Sequence, residues 1–430
     1  MPNASYPSFG RPMSERVPIL ATLVLAGVCG IYLGQTFSSA AASGNQERSQ
    51  HQAGDDDDDP DPKTLERLVA DLGSDDFRAR EAAMIALRKI GDPAAVFLRR
   101  QQNSADAEMR RRALDLLQYI ENAPELLRCT GHEKGIIGLA LLPGDQKALS
   151  AGEDKTIRLW DLTNGKQLTR FDGHSKEVWA LAMAPDGKSF ASSGPDRVIR
   201  LWNLDGETKP RELATLGDSV RCLLYSGDGK RLLAGALDKN IYVIDAQTGK
   251  TESTWTGHKD SVLCLALSPD GTRVLSGGGY SDASVSVRDA RTGAILQRLV
   301  GHREYVYAVA FVDNERAVSA GYDNIVRLWN LKTGTIVHEF KGHQRGVYGL
   351  AVSRDGKRLL TGAYDKTIRL WDLASGEEVR RFHQHEDGIN ALVFTANGRF
   401  ALSAANDRTM RLWRLPRVPK NEMQGLSGSE

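Results

Sequence analysis

A histidine, a hydroxyl and an aspartate recur along this 430-residue chain at nearly constant spacing. The sets are His132, Ser150 and Asp154; His174, Ser192 and Asp196; His302, Ser319 and Asp323; His343, Thr361 and Asp365; and His385, Ser403 and Asp407. A tryptophan follows each aspartate by six residues: Trp160, Trp202, Trp329, Trp371 and Trp413. Taken singly, such a trio holds the parts for acyl transfer: a hydroxyl nucleophile, an imidazole base and a carboxylate that orients the base. Five complete copies argue against that chemistry, because an enzyme needs one set. The cysteines, Cys29, Cys129, Cys222 and Cys264, are scattered, with no CxxC and no metal spacing. Neither a disulfide framework, nor a metal, nor another cofactor is expected.

The sets belong to a larger repeat. Gly-His occurs at Gly131-His132, Gly173-His174, Gly257-His258, Gly301-His302 and Gly342-His343, with Gln384-His385 as a variant. Successive histidines lie about 42 residues apart except across one gap of 84, which holds a degenerate copy around Leu216 to Asp245, making seven copies. The nonamer DKTIRLWDL at 154–162 returns unchanged at 365–373. After each histidine comes an alternating run such as VWALAMA, then Asp-Gly or Asn-Gly, as at Asp186-Gly187, Asp228-Gly229 and Asn397-Gly398. Alternation predicts strands, and these dipeptides predict tight two-residue hairpin turns. A second strand, the strand TIRLWDL and a fourth complete each copy.

This grammar resembles the WD40 β-propeller family. The resemblance implies a mainly β fold, a seven-bladed propeller over residues 124–417. It implies that Asp, His, hydroxyl and Trp form a hydrogen-bonded ladder inside each complete copy rather than a catalytic group. It also implies that the orphan strand Glu125 to Cys129 completes the last blade, whose own copy stops after its third strand. The third copy keeps only Asp238, with Leu216, Ala234 and Ile244 in the other places. The fourth keeps His258, Ser276 and Asp282 but has Arg288 for tryptophan. Blades three and four are therefore expected to be the least rigid. Members of the family commonly bind peptides on the face around the channel entrance. The corresponding positions here hold Trp179 on blade two, Tyr305, Tyr307 and Tyr322 on blade five, and Tyr348 and Tyr364 on blade six. On blades one, three, four and seven they hold mostly small or polar residues, Arg221 and Asn390 among them. Aromatic anchors bury a large area with few rotors, so the expected partner is a protein or peptide on this face.

Ahead of the repeats the chain changes character several times. Residues 1–16 read as a cytoplasmic tail, and VPILATLVLAGVCGIYL (17–33) carries no charge. Basic residues precede it, so residues 17–37 are expected to be a transmembrane anchor with the propeller exported. An A-x-A site at Ala40 to Ala42 keeps a cleaved signal peptide and a secreted protein as the alternative. Residues 38–62, with Asp55 to Asp59, read as a disordered acidic linker, and 418–430 as a disordered tail. Residues 63–122 read as an all-α segment of four short helices in two antiparallel pairs, with Ser74 or Asp75 as a cap. Its apolar faces are Leu65, Leu68, Val69 and Leu72; Ala82, Ala83, Ala86, Leu87 and Ile90; and Ala113, Leu114, Leu117 and Ile120. The string DDFRAREAAMIALRKIG followed by DPAAVFLRR resembles a HEAT-type repeat, and the combination resembles bacterial WD40 repeat proteins. With 56 Lys+Arg against 55 Asp+Glu, no nucleic-acid partner is expected. The functional expectation is a membrane-anchored, non-catalytic protein–protein interaction scaffold. Its alternatives are an architectural subunit using blade edges, or a propeller enzyme with an unrecognised site.

Overall fold

The computed structural model describes residues 62–90, 92–101, 104–122, 125–204 and 209–416. The expected membrane segment 17–37, the run Asp55 to Asp59 and the tail 418–430 lie outside the described residues. Among those described, no helix is long and apolar enough to cross a membrane.

Four helices come first: α1 (Pro62–Asp71), α2 (Phe77–Ile90), α3 (Asp92–Arg100) and α4 (Ala107–Asn122). Asp76, rather than Ser74 or Asp75, caps α2, its Oδ1 accepting from the Arg78 N–H at 2.9 Å. Asp106 caps α4 in the same way. The two starts are copies of one device, since Arg80 and Arg110 each reach back six residues to a serine carbonyl. Leu65, Val69, Leu72, Ala83, Leu87, Met109, Ala113, Leu116 and Leu117 share one core. Leu114, read as part of that core, is 45 % exposed. The inward stripe of α4 is Met109, Ala113, Leu116 and Leu117, the i, i+4, i+7, i+8 pattern of one helical face.

Residues 125–416 form seven four-stranded antiparallel sheets. Their inner strands are Ile136–Leu141, Ala180–Met183, Val220–Tyr225, Val262–Leu267, Val306–Phe311, Val347–Val352 and Ile389–Phe394. Each inner strand packs against the next around the ring, and the last against the first. These strands read as nearly unbroken apolar runs, because both of their faces are covered. The outer strands, such as Gln167–Asp172, meet solvent and are mostly exposed. The Asp-Gly hairpins are longer than two residues. Ala184 and Ser189 close one across four residues, with the Gly187 N–H on the Ala184 carbonyl and Gly187 at φ 67°. Asp186 Oδ1 accepts from the Lys188 N–H at 2.8 Å, so the dipeptide builds an i→i+3 turn followed by a left-handed glycine.

The seventh sheet closes the ring. Ile389–Phe394, Phe400–Ala405 and Thr409–Arg414 are completed by Glu125–Thr130, which pairs antiparallel with Thr409–Arg414. Buried Arg411 donates to Glu125 at 2.7 Å, Ala396 N–H to Asp145 at 2.6 Å, and Asn390 Nδ2 to the Ile136 carbonyl at 2.8 Å. The first of these bonds holds blade seven's fourth strand to its third, and the other two join blade seven to blade one. Deleting Glu125 to Thr130 should leave Thr409–Arg414 as an open edge. The expected outcome is loss of a cooperative melting transition and a shift to higher oligomers on size-exclusion chromatography.

Candidate functional site

Each complete blade places its four polar residues on different elements. The histidine precedes the inner strand, the hydroxyl lies within the second strand, the aspartate in the next turn and the tryptophan near the end of the third strand. In blade one, His132 Nδ1 meets Asp154 at 2.8 Å and Nε2 meets Ser150 Oγ at 2.7 Å. Trp160 Nε1 donates to the same Oγ at 2.7 Å. A carboxylate can only accept, so Nδ1–H of His132 points at Asp154, Nε2 takes the Ser150 hydroxyl proton, and that oxygen accepts from the Trp160 indole. The same row runs through Ser192, Ser319, Thr361 and Ser403. All five hydroxyl residues are 0 % exposed. Each donates and accepts within its blade and is out of reach of substrate, so these rows are not nucleophilic sites.

The aspartate has a second task. The residue after it is left-handed in every blade, as at Lys155 (φ 68°), Arg197 (φ 67°) and Lys366 (φ 69°). Such a backbone costs about 1 kcal/mol or more in a non-glycine residue. The aspartate holds it by accepting from the N–H two residues on, as from Thr156 and Thr367. A fifth ladder member went unread in the sequence, although its signal, the arginine of IRLW or VRLW, is there. Arg200 and Arg327 donate to Asp196 and Asp323 at 2.7 Å. Both departures from the pattern are filled. In blade four Arg288 is 1 % exposed and donates to Ser276 Oγ at 3.4 Å and to the Thr256 and Gly293 carbonyls at 3.0 and 3.1 Å. In blade three Leu216, Ala234 and Ile244 are buried, and Asp238 takes the Tyr242 hydroxyl at 2.5 Å.

A different set of residues converges at the channel mouth. Six inner strands carry a register shift at the same point, which leaves Ile137, Arg221, Leu263, Tyr307, Tyr348 and Asn390 as the extra residue. Trp179, just ahead of Ala180–Met183, is the blade-two equivalent. A bulge re-aims its extra side chain, here towards the propeller axis. Arg221 of blade three lies 5.4 Å from the Trp179 ring of blade two, and its charge is within electrostatic range of Tyr307 and Tyr348 on blades five and six. That reach across the ring places Arg221 near its axis. Trp179 and Tyr348 are 7 % and 5 % exposed, so they are buried within the ring rather than standing on the surface.

The exposed part of the face is a tyrosine arc. Tyr305 stacks on Tyr307 at 5.5 Å, and Tyr307 stacks on Tyr348 at 4.5 Å. Tyr322 stands edge-on to Tyr305 at 6.3 Å, and Tyr364 lies 6.0 Å from Tyr348. Tyr280, unread in the sequence, extends the arc onto blade four, 5.6 Å from Tyr305 and 58 % exposed. Its signal was the two-residue insertion within GGGYSDAS (277–284), in the loop that carries Tyr322 and Tyr364 in the next blades. Opposite the arc, burial and the neighbouring Glu177 raise the pKa of Glu153.

The chain matches the family "WD domain, G-beta repeat" over residues 124–161, 165–203, 211–245, 249–289, 293–330, 334–372 and 376–414. It belongs to the WD40 family. It is 38 % identical over 71 residues to the small ribosomal subunit protein RACK1 of Saccharomyces cerevisiae, covering 15 % of this chain and 22 % of that one. It is 38 % identical over 60 residues to the WD repeat-containing protein pop2 of Schizosaccharomyces pombe, 14 % of this chain and 8 % of that one. It is 37 % identical over 60 residues to the WD repeat-containing protein RUP2 of Arabidopsis thaliana, 14 % of this chain and 16 % of that one. The matched stretches span less than a quarter of each relative. WD40 propellers are usually non-catalytic and typically serve protein interaction.

Two outcomes follow for the ladders. Ser192→Ala strips the partner from buried His174 and Trp202, so it should cost about 2 kcal/mol or more in urea unfolding. Acid should also weaken the fold in two stages. Burial would raise Asp196 and Asp323, but the hydrogen bonds and charges of His174 and His302, with Arg200 and Arg327, hold both at about 2. Burial lowers His132, His302, His343 and His385 against the pull of their aspartates. Both groups titrate below their unfolded values, so their contribution is complete above about 6.5. It should fall as pH drops below that point, and again from about 4 towards 2, in urea melts taken across pH.

Proposed function

We propose that this protein is a non-catalytic platform that binds a protein segment at the mouth of its channel. The observation that carries this reading is the arc Tyr280, Tyr305, Tyr322 and Tyr364 over Tyr307 and Tyr348. It is continuous over three blades, with every ring but Tyr348 reaching solvent. Rigid aromatic rings with a polar tip suit a partner surface. In the fuller reading, residues 17–37 anchor the chain in a bacterial membrane with the propeller exported. Residues 63–122, two copies of one capped helix pair, then act as a HEAT-like adaptor. Leu296, Val300 and Val337, more than half exposed on outer strands, favour a second reading in which blade edges make the contacts.

The test is a pull-down from native membranes with the full chain and with a variant carrying Tyr280, Tyr305, Tyr322 and Tyr364 as serine. These rings are partly exposed, so the variant should keep the wild-type melting curve. A specific partner is expected with the wild type alone. Equal capture by both would move the contact to the outer strands.

A further inference from the structure

Resting on the channel mouth as the partner site, we propose that Arg221 is its anion anchor: the partner inserts an aspartate or glutamate side chain beside Trp179 and Tyr307, and its carboxylate pairs with the Arg221 guanidinium. Arg221 is 4 % exposed, and neither of its terminal nitrogens has a hydrogen-bond partner among the described residues. It differs in this from the other buried arginines of the propeller. Arg158, Arg200, Arg288, Arg327, Arg358, Arg369 and Arg411 each have at least one terminal nitrogen bonded. Leaving a desolvated guanidinium unpaired is costly unless something else uses it.

Among the described residues, no carboxylate beside Arg221 supplies a counter-charge. The other bulge residues are apolar, aromatic or amide, and burial pushes the adjacent Cys222 thiol up to about 12, so it stays neutral. Burial lowers Arg221 to about 10, which leaves it a cation at neutral pH. The Trp179 ring at 5.4 Å attracts the cation without using its N–H groups. A second orphan lies at the mouth: Asn406 binds the bulge residue Asn390 through Oδ1, while its buried Nδ2 has no partner among the described residues. The mouth therefore offers unused donors, and a ligand must bring acceptors. One guanidinium matches a singly charged carboxylate, which it can engage in a bidentate fork. A dianionic phosphate would call for a second cation, and no other bulge position holds one.

The probe is an array of dodecapeptides whose central residue is Asp, Glu, Asn, Gln or phosphoserine in randomised flanks, presented to the full chain in detergent. Wild type should select Asp or Glu at that position. By fluorescence polarisation, changing that residue to its amide should weaken binding at least about 30-fold, as expected for a buried charge pair. Arg221→Met should bind the acidic peptide equally weakly, and the amide peptide no more weakly still. Because Arg221→Met removes an unpaired buried cation, its melting temperature should hold or rise. Selection without acidic preference, or preference for phosphoserine, would overturn the carboxylate proposal and leave the platform reading intact. So would wild-type affinity in an Arg221→Met protein that melts lower, which marks a purely structural cation–π group. No selection by folded wild type would sink both.

Discussion

Thr409–Arg414 ends the last repeat with one side of its backbone still unpaired, and the strand that satisfies it, Glu125–Thr130, lies ahead of the first repeat. Arg411 and Glu125, 286 residues apart, lock this pairing from a buried position. Every other sheet is built from four consecutive strands and could form locally. A row of such sheets would end in two open edges, where backbone groups invite another chain. One long-range pairing converts the row into a ring. Its entropic cost grows only with the logarithm of the loop it closes, while closure protects every blade.

Within the ring, rigidity comes from buried polar rows that have no spare valence. The carboxylate fixes the imidazole tautomer, the free imidazole nitrogen takes the hydroxyl proton, and the hydroxyl oxygen accepts from the indole. The aspartate then pins a left-handed residue in the turn. Each row ties the loop before the inner strand to the second and third strands. Blade four keeps the histidine, serine and aspartate and replaces the indole by an arginine reaching two carbonyls. Blade three abandons the row for apolar packing. Blade three removes the polar groups, and in blade four Arg288 bonds three acceptors while its Nη2 keeps none among the described residues.

At the channel mouth the shortfall is larger: both terminal nitrogens of Arg221 have no partner among the described residues. A bulge at one register point of six inner strands, with Trp179 ahead of the seventh, sets out one such side chain per blade, so a periodic scaffold presents a non-periodic set. Tyrosines gather on blades four to six, and blade three carries a buried cation whose terminal nitrogens are unpaired among the described residues. The repeat supplies position, and chemical individuality comes from the residues that the ladders leave free. Repetition of the His–hydroxyl–Asp rows marks them as architecture, whereas Arg221 occurs on one blade alone.

The repeat, its seven copies and the strand order were legible in the sequence because they are periodic. Gly-His, Asp-Gly and Trp-Asp return together, and local strand and turn preferences do not depend on which blade they build. The mapping of Trp179, Tyr305, Tyr307, Tyr322, Tyr348 and Tyr364 onto the face also followed from position within the copy. Burial at those positions did not. Whether Trp179 stands on the surface or is buried within the ring depends on what blades three, five and six send to the same point. Arg221 read as one polar residue among several until its neighbours were placed around it. The cap at Asp76 and the inward turn of Leu116 over Leu114 were decided by packing, which selects among faces that local propensity leaves nearly equal. Sequence by itself determined the unit and its count. Tertiary structure decided which side chains the closed ring brings to its axis, because that meeting is made by residues hundreds of positions apart.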